Sequence, residues 1–251
     1  MFESKHIWGL SVAVVFVIAF FTIFFFVNPK LSREKGRTYV LRSIAGTMIF
    51  LEFCKMVFAL ATEGGITKEL FPWQLCSMPL LLFPLVAFGG EKMRKIFCPP
   101  AFIIGMLAGT IVLFYPANVL DTSIPWFENG GINLPMHSFI YHTLMIVFAG
   151  YMIQSKVYRI RAWDFLYAAG IMLSMALVAI CLNTIIPGAD YFLLGKGTGL
   201  LPPEVLEKIG TSLFAFLFIC VGMLIVFLFY SYWIFKAWIQ RIRKRKQPDA
   251  L

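Results

Sequence analysis

Hydrophobic residues form seven long stretches along the chain, separated by polar segments and by turns rich in glycine and proline. Most stretches reach the length of about 20 residues that a helix needs to cross the hydrocarbon core of a bilayer. They lack the alternating pattern of a membrane β-barrel, so the pattern predicts spanning helices. The predicted spans are residues 7–27, 40–62, 73–89, 97–115, 138–155, 163–186 and 211–235.

The composition agrees with this pattern, because 60% of the residues are hydrophobic and only 14% are charged. A soluble domain with this balance would have too few charges to cover its surface. We therefore predict an all-α polytopic membrane protein. Residues 1–251 form a single seven-helix transmembrane domain in this prediction, and residues 238–251 form a basic cytoplasmic tail.

Basic residues predict the orientation of the chain. Seventeen lysines and arginines fall on one side of the seven spans and four on the other, with Lys55 inside a span and not counted. The positive-inside rule then places the N-terminus outside and the C-terminus in the cytoplasm of the cell membrane. The net charge of +9 does not require nucleic acid. The basic run Arg241–Lys246 directly follows a span, where it is expected to bind anionic lipid headgroups, although a protein-binding tail is the alternative.

Polar residues near the outer ends of several spans could form one site. The topology places five of them at a similar depth in the outer leaflet: Cys76, His142, Asn183, Asp190 and Tyr191. A thiol, an imidazole, an amide and a carboxylate are the parts of a Cys–His acyl-transfer site, with Asn183 or Gln74 as the oxyanion donor. The predicted catalytic residues are Cys76, His142, Asn183 and Glu52, and the predicted substrate-binding residues are Gln74, His137, Asp190, Tyr191 and Trp73.

Each of these residues also has a structural interpretation. Glu52 and Lys55 lie on one face of span 2, either as a buried ion pair or with Glu52 as a proton acceptor or the orienter of a histidine. Cys76 could be an inert thiol, and His142 a helix-to-helix hydrogen bonder. His137 and His142 are about 140° apart around a helix, which makes them a poor metal pair. No motif in the sequence predicts a metal or a cofactor.

Two long connections and one packing motif complete the pattern. The connections at residues 116–137 and 187–210 exceed the usual loop length, so each is either a candidate lid or a plain surface connection. Gly105 and Gly109 form a GxxxG motif, which more often serves helix packing than ligand binding.

The chain resembles the YwaF-type family of bacterial integral membrane proteins, whose animal relative is transmembrane protein 164. The resemblance extends from span 2 to the loop after span 6. Its anchors are Pro72 to Cys76, which resembles the family's Leu-Pro-Leu-His-Leu-Cys; Gly109-Thr110 followed by Pro116; His142 in Tyr-His-Thr-Leu; Asn183 with Gly188 to Leu194; and the acidic Glu52.

The resemblance implies a seven-helix membrane protein. The animal member is described as a phospholipid acyltransferase that works through a cysteine, which would correspond to Cys76, with His142 as the base. The family histidine two residues before the cysteine is Gln74 here. Either His142 carries the proton alone, or this chain lacks the activity.

Two further hypotheses come from other classes of protein. The outer polar residues could bind or carry a lipid or another small molecule without catalysis, with Glu52 and Lys55 as the floor of the pocket. Alternatively, the protein could be a subunit that packs against a partner through its GxxxG face. Membrane lipids are the expected substrate or ligand in the first two hypotheses, and the sequence leaves the oligomeric state open.

Overall fold

The computed structural model describes residues 4–28, 34–63, 73–114, 127–128, 131–132, 134–195 and 202–246. Nearly all of these residues are helical. Two short strands, β1 (Phe127–Glu128) and β2 (Gly131–Ile132), pair antiparallel within the predicted outer connection 116–137. The helices are α1 (Ser4–Val27), α2 (Glu34–Glu63), α3 (Pro79–Phe88), α4 (Glu91–Phe114), α5 (Leu134–Gln154), α6 (Asp164–Ile185), α7 (Pro203–Ile209) and α8 (Thr211–Lys246).

Five of the described helices are long and apolar enough to cross a membrane. They coincide with the first, fourth, fifth, sixth and seventh predicted spans. Helix α2 is 30 residues long and carries two charges in its middle, and Leu75–Phe88 is a shorter apolar segment. The five are Ile7–Val27, Glu91–Phe114, Met136–Gln154, Asp164–Ile185 and Thr211–Ile242.

The start of the third span differs from the prediction. A helix beginning near Pro72 would have placed Cys76 about one turn inside it, but α3 begins only at Pro79. Proline has no N–H to donate to the carbonyl four residues earlier, whereas it fits the first turn of a helix well. Cys76 therefore lies in a separate 3₁₀ turn, Leu75–Ser77, just before the helix. Pro72 itself lies outside the described residues.

The described chain divides into two compact units, one of residues 1–94 and 101–158 and the other of residues 95–100 and 159–251. Helix α5 is the centre of the first unit. Its Phe148 stacks on Phe83 of α3 with ring centroids 3.9 Å apart, and its Tyr151 packs edge-on against Phe20 and Phe24 of α1. Met145, Val147, Phe148, Ala149, Tyr151 and Met152 of α5 are fully buried.

Three arginines bind backbone carbonyls where α3 and α5 end. The last carbonyls of a helix have no partner within the helix, and a cation near them also interacts favourably with the helix dipole. The amino-terminal part of α2 therefore lies beside the carboxyl ends of α3 and α5. The bonds run from Arg37 Nη1 to Ser155 O (3.1 Å), from Arg42 Nε to Ala87 O (3.2 Å) and from Arg94 Nε to Val86 O (3.1 Å).

The GxxxG motif of α4 packs against α5 of the same chain. A Cβ atom on Gly105 would lie 2.8 Å from the Ala149 Cβ, and a Cβ on Gly109 would lie 3.0 Å from the His142 carbonyl oxygen. Only glycine allows the two backbones to approach this closely. This face is occupied within the chain, so it does not offer the free surface that the subunit hypothesis requires.

Replacing Gly109 by alanine should lower the melting temperature by several degrees, because overpacking costs about 1–3 kcal/mol. Gly170→Ala is the matched control, since a Cβ there meets no atom within 4 Å and alanine is the better helix former. Thermal unfolding in detergent measures both variants. Equal melting temperatures for Gly109→Ala and the wild type would contradict the close packing of α4 on α5.

The second unit is built on α6 and α8. Phe165 of α6 packs edge-on against Phe227 of α8, and the Tyr230 hydroxyl donates to the Pro99 carbonyl (3.1 Å). Helix α8 continues to Lys246, so the first residues of the predicted basic tail are helical. The predicted connection 187–210 contains the 3₁₀ turn Tyr191–Leu193 and helix α7, which the sequence pattern did not predict.

Candidate functional site

The carboxyl-terminal half of α2 faces the start of α5 through polar side chains. Glu52 and Lys55, one turn apart on α2, form an ion pair, and Glu52 is only 6% exposed. His137 of α5 contacts the same stretch of α2, because its Nε2 lies 3.1 Å from the Leu51 carbonyl oxygen. The His137 ring also stacks on Tyr141, one turn further along α5. The two helices thus bring two charges, an imidazole and a phenol together.

The hydrogen bonds of His142 define its tautomer. Its Nδ1 lies 2.6 Å from the backbone carbonyl oxygen of Ser138, and that oxygen can only accept. Nδ1 therefore carries the proton, and Nε2 presents a lone pair. Nε2 is buried and has no hydrogen-bond partner among the described residues. In the part of the chain that the structure describes, His142 is consequently not the helix-to-helix hydrogen bonder of the structural interpretation.

Cys76 lies in the 3₁₀ turn before α3 and is partly exposed. Its sulfur is close enough to its own backbone N–H and to the Ser77 hydroxyl to interact with both, and it is within electrostatic range of Lys55 and Glu52. A thiolate is the reactive form of cysteine, and hydrogen-bond donors and a nearby ammonium group are what stabilise a thiolate. The turn thus places two hydrogen-bond donors near the thiol, with an ammonium group within electrostatic range.

The predicted contacts of His142 with Cys76 and Glu52 are not among the hydrogen bonds of the described residues. Glu52 was expected to orient the imidazole, but the Ser138 carbonyl holds Nδ1 instead. Glu52 forms its ion pair with Lys55. Lys55 is within electrostatic range of both Cys76 and His142. Both groups are therefore within reach of the same positive charge, and no hydrogen bond joins them among the described residues.

Two further polar groups near Cys76 are buried without a partner in the described residues. They are the indole N–H of Trp73 and the hydroxyl of Tyr141. Trp73 and Gln74 directly precede the turn of Cys76, and the Gln74 carbonyl accepts the Ser77 N–H (2.9 Å). Buried donors normally find a partner, so donors without one are the groups that a ligand can satisfy.

Asn183, Asp190 and Tyr191 belong to the second unit, where they hold a loop together. Asn183 accepts from the Tyr191 N–H (2.7 Å) and donates to the Tyr191 carbonyl (3.1 Å), and Asp190 Oδ1 accepts from the Gly195 N–H (2.7 Å). The loop includes Phe192 and Leu193 at φ of 57° and 58°, a conformation that costs a non-glycine residue about 1–3 kcal/mol. The Asn183 amide thus clamps a strained loop, and the catalytic and binding roles of these three residues stay predictions.

Sequence reasoning missed two residues of the first unit. Tyr141 was not a candidate although it adjoins His142. Ser138 was missed because the shortest contact of the imidazole is with its backbone carbonyl (2.6 Å), and its side-chain oxygen lies 3.2 Å from the same Nδ1. The spacing was nevertheless present in the sequence. Ser138 precedes His142 by four residues and His137 precedes Tyr141 by four, which is one helical turn in each case.

An apolar cavity of about 230 Å³ lies between α1 and α5 in the same unit. It is lined by side chains such as Trp8, Phe16 and Phe139, and Thr143 contributes one of its few polar groups. The cavity offers no donor cluster comparable to the one around Cys76.

Apolar helices of spanning length define a multi-pass integral membrane protein. Its first unit also contains a thiol, two imidazoles and an ion pair, all buried or partly buried. The model of the TMEM164 family matches residues 1–242, which is nearly the whole chain. The chain belongs to the TMEM164 family. No curated protein and no solved structure matched it.

Proposed function

We propose that this protein is a cysteine-dependent acyltransferase of membrane lipids in the cell membrane, with seven spans, its N-terminus outside and its C-terminus in the cytoplasm. The observation that carries the proposal is the state of His142. Its Nδ1–H is held by the Ser138 carbonyl, which leaves a buried Nε2 without a partner among the described residues. An imidazole fixed in this tautomer can accept a proton as a general base.

The proposed reaction has two halves. In the first, the Cys76 sulfur attacks the ester carbonyl carbon of a phospholipid, and the thiol proton passes to His142 Nε2. The bond from the carbonyl carbon to the glycerol oxygen breaks, and the leaving oxygen takes that proton. In the second, the hydroxyl of a lyso-lipid gives its proton to Nε2 and attacks the thioester, and the sulfur leaves and is reprotonated.

The chain's own groups support both halves. Lys55 lies within electrostatic range of Cys76, and its turn places a backbone N–H and the Ser77 hydroxyl near the sulfur. The Ser138 carbonyl accepts the Nδ1–H of His142 and so keeps Nε2 as the proton acceptor. No hydrogen bond joins the thiol to the imidazole in the described residues, so a water or the substrate oxygen relays the proton. Catalytic hydrogen bonds are often long before substrate binds. Gln74 occupies the position of the family histidine but cannot act as a base, so in this proposal His142 is the base.

The test is a search for an acyl adduct on Cys76. Protein purified in lipid nanodiscs should show a hydroxylamine-sensitive acyl mass by intact-protein mass spectrometry. Cys76→Ala should lack the adduct and lose acyl exchange, whereas Cys54→Ser should keep both, because Cys54 is exposed on α2. Wild-type exchange by Cys76→Ala would exclude the mechanism. A tightly bound lipid with no adduct would favour the lipid binder or carrier instead.

A further inference from the structure

We infer that the Tyr141 hydroxyl is the donor that binds the acyl carbonyl oxygen of the lipid while Cys76 attacks it. This inference rests on the proposed function and names the group that holds the developing oxyanion. It also gives a role to a side chain for which the fold alone offers no explanation.

The Tyr141 hydroxyl differs from those of two other buried tyrosines, Tyr151 and Tyr230. The Tyr151 hydroxyl donates to Asn28 Oδ1 (2.9 Å) and that of Tyr230 donates to the Pro99 carbonyl (3.1 Å). Tyr141 is only 5% exposed, yet its hydroxyl has no hydrogen-bond partner among the described residues. Leaving a buried hydroxyl unsatisfied costs about 1–3 kcal/mol. A bound carbonyl oxygen would satisfy it.

The ring of Tyr141 contacts both histidines of α5. Its ring stacks on His137 (centroids 6.1 Å apart, 17° between planes) and meets the His142 ring edge-on (5.6 Å, 76°). It is within electrostatic range of Cys76 and Glu52. The ring contacts fix the direction of the phenol before substrate arrives, and such preorganisation makes an oxyanion donor effective.

Most other donors near Cys76 already have a partner. Lys55 is paired with Glu52, and the Cys76 N–H and the Ser77 hydroxyl interact with the sulfur itself. The Trp73 indole N–H is also without a partner in the described residues, and we prefer Tyr141 because its ring contacts both histidines. When the carbon–sulfur bond forms, the electron pair of the carbonyl π bond moves onto its oxygen. The Tyr141 O–H donates to that oxygen without transferring its proton. When the pair returns to re-form the C=O bond, the glycerol oxygen leaves with the proton from His142.

The test is Tyr141→Phe, which keeps the ring and removes only the hydroxyl. We expect kcat for acyl exchange to fall about 10²–10³-fold, the loss typical of one oxyanion donor, with KM nearly unchanged. The melting temperature should stay the same or rise, because an unsatisfied buried hydroxyl is removed. Tyr151→Phe is the matched control on the same helix. It should lower the melting temperature, since Asn28 loses its partner, and keep kcat per folded protein.

The outcomes separate this inference from the proposed function. Wild-type kcat in Tyr141→Phe would overturn the inference, and so would a fall in kcat that is fully explained by a loss of folded protein. Failure of the proposed function has a different signature, because the wild-type protein itself would then form no Cys76 adduct and exchange no acyl groups. The rate to compare between Tyr141→Phe and the wild type is that of thioester formation in a single turnover, measured per folded protein.

Discussion

Replacing His142 by alanine is expected to lower the rate of acyl transfer about 10²–10⁴-fold, which is the usual contribution of a general base. The imidazole receives the thiol proton in the first half of the reaction and the acceptor's hydroxyl proton in the second. Both formation and breakdown of the Cys76 thioester should therefore slow. Exchange of a labelled acyl chain into lyso-lipid in proteoliposomes measures the overall rate, and single-turnover mass spectrometry measures each half.

Thr143→Val is the control for this variant. Thr143 is the next residue of α5, and its buried hydroxyl donates to the Phe139 carbonyl of its own helix (2.8 Å). The valine protein should retain wild-type transfer, which would show that a change at this depth of α5 is tolerated. Added imidazole should partly restore the rate of His142→Ala, an effect that a purely structural histidine would not show. Full activity of His142→Ala would refute its role as base.

Much of the fold follows from the hydrophobic pattern. Five apolar stretches correspond to helices of spanning length, because a polar backbone in lipid has few alternatives to a helix. The pattern did not predict the break before Pro79, since a run of apolar residues does not reveal where a proline interrupts the hydrogen-bond ladder. It also missed α7, a seven-residue helix in a connection that its glycines and prolines marked only as a candidate lid or a surface loop.

The candidate site was predictable in its residue types and less so in its contacts. The pattern identified Cys76, His142 and the Glu52–Lys55 pair because a polar group inside a span costs free energy, so its presence indicates a structural or functional role. It could not show that a backbone carbonyl at Ser138 orients the imidazole, since every residue carries such a group. Nor could it distinguish Tyr141 from Tyr151, because whether a buried hydroxyl has a partner depends on the helix opposite it.

The second large effect is expected at the ion pair in α2. Replacing Lys55 by methionine should destabilise the protein by about 3–5 kcal/mol, because it leaves a buried carboxylate without its partner. Glu52→Gln should cost less, since the ammonium that remains is more exposed, with side-chain exposures of 19% for Lys55 and 8% for Glu52. Thermal unfolding in one detergent, at one pH, compares the two variants with the wild type.

The double variant Glu52→Gln/Lys55→Met separates stability from function. Replacing both partners of a buried ion pair is often neutral or stabilising, so this protein should fold nearly as well as the wild type. The rate of acyl transfer should nevertheless be lower than that of the wild type, because the ammonium group within electrostatic range of Cys76 and His142 is gone. Wild-type transfer by the folded double variant would assign the pair a structural role only. Removing the carboxylate charge as well should restore the stability lost in Lys55→Met. A double variant that is less stable than Lys55→Met would therefore show that the unpaired carboxylate is not the cause of that loss.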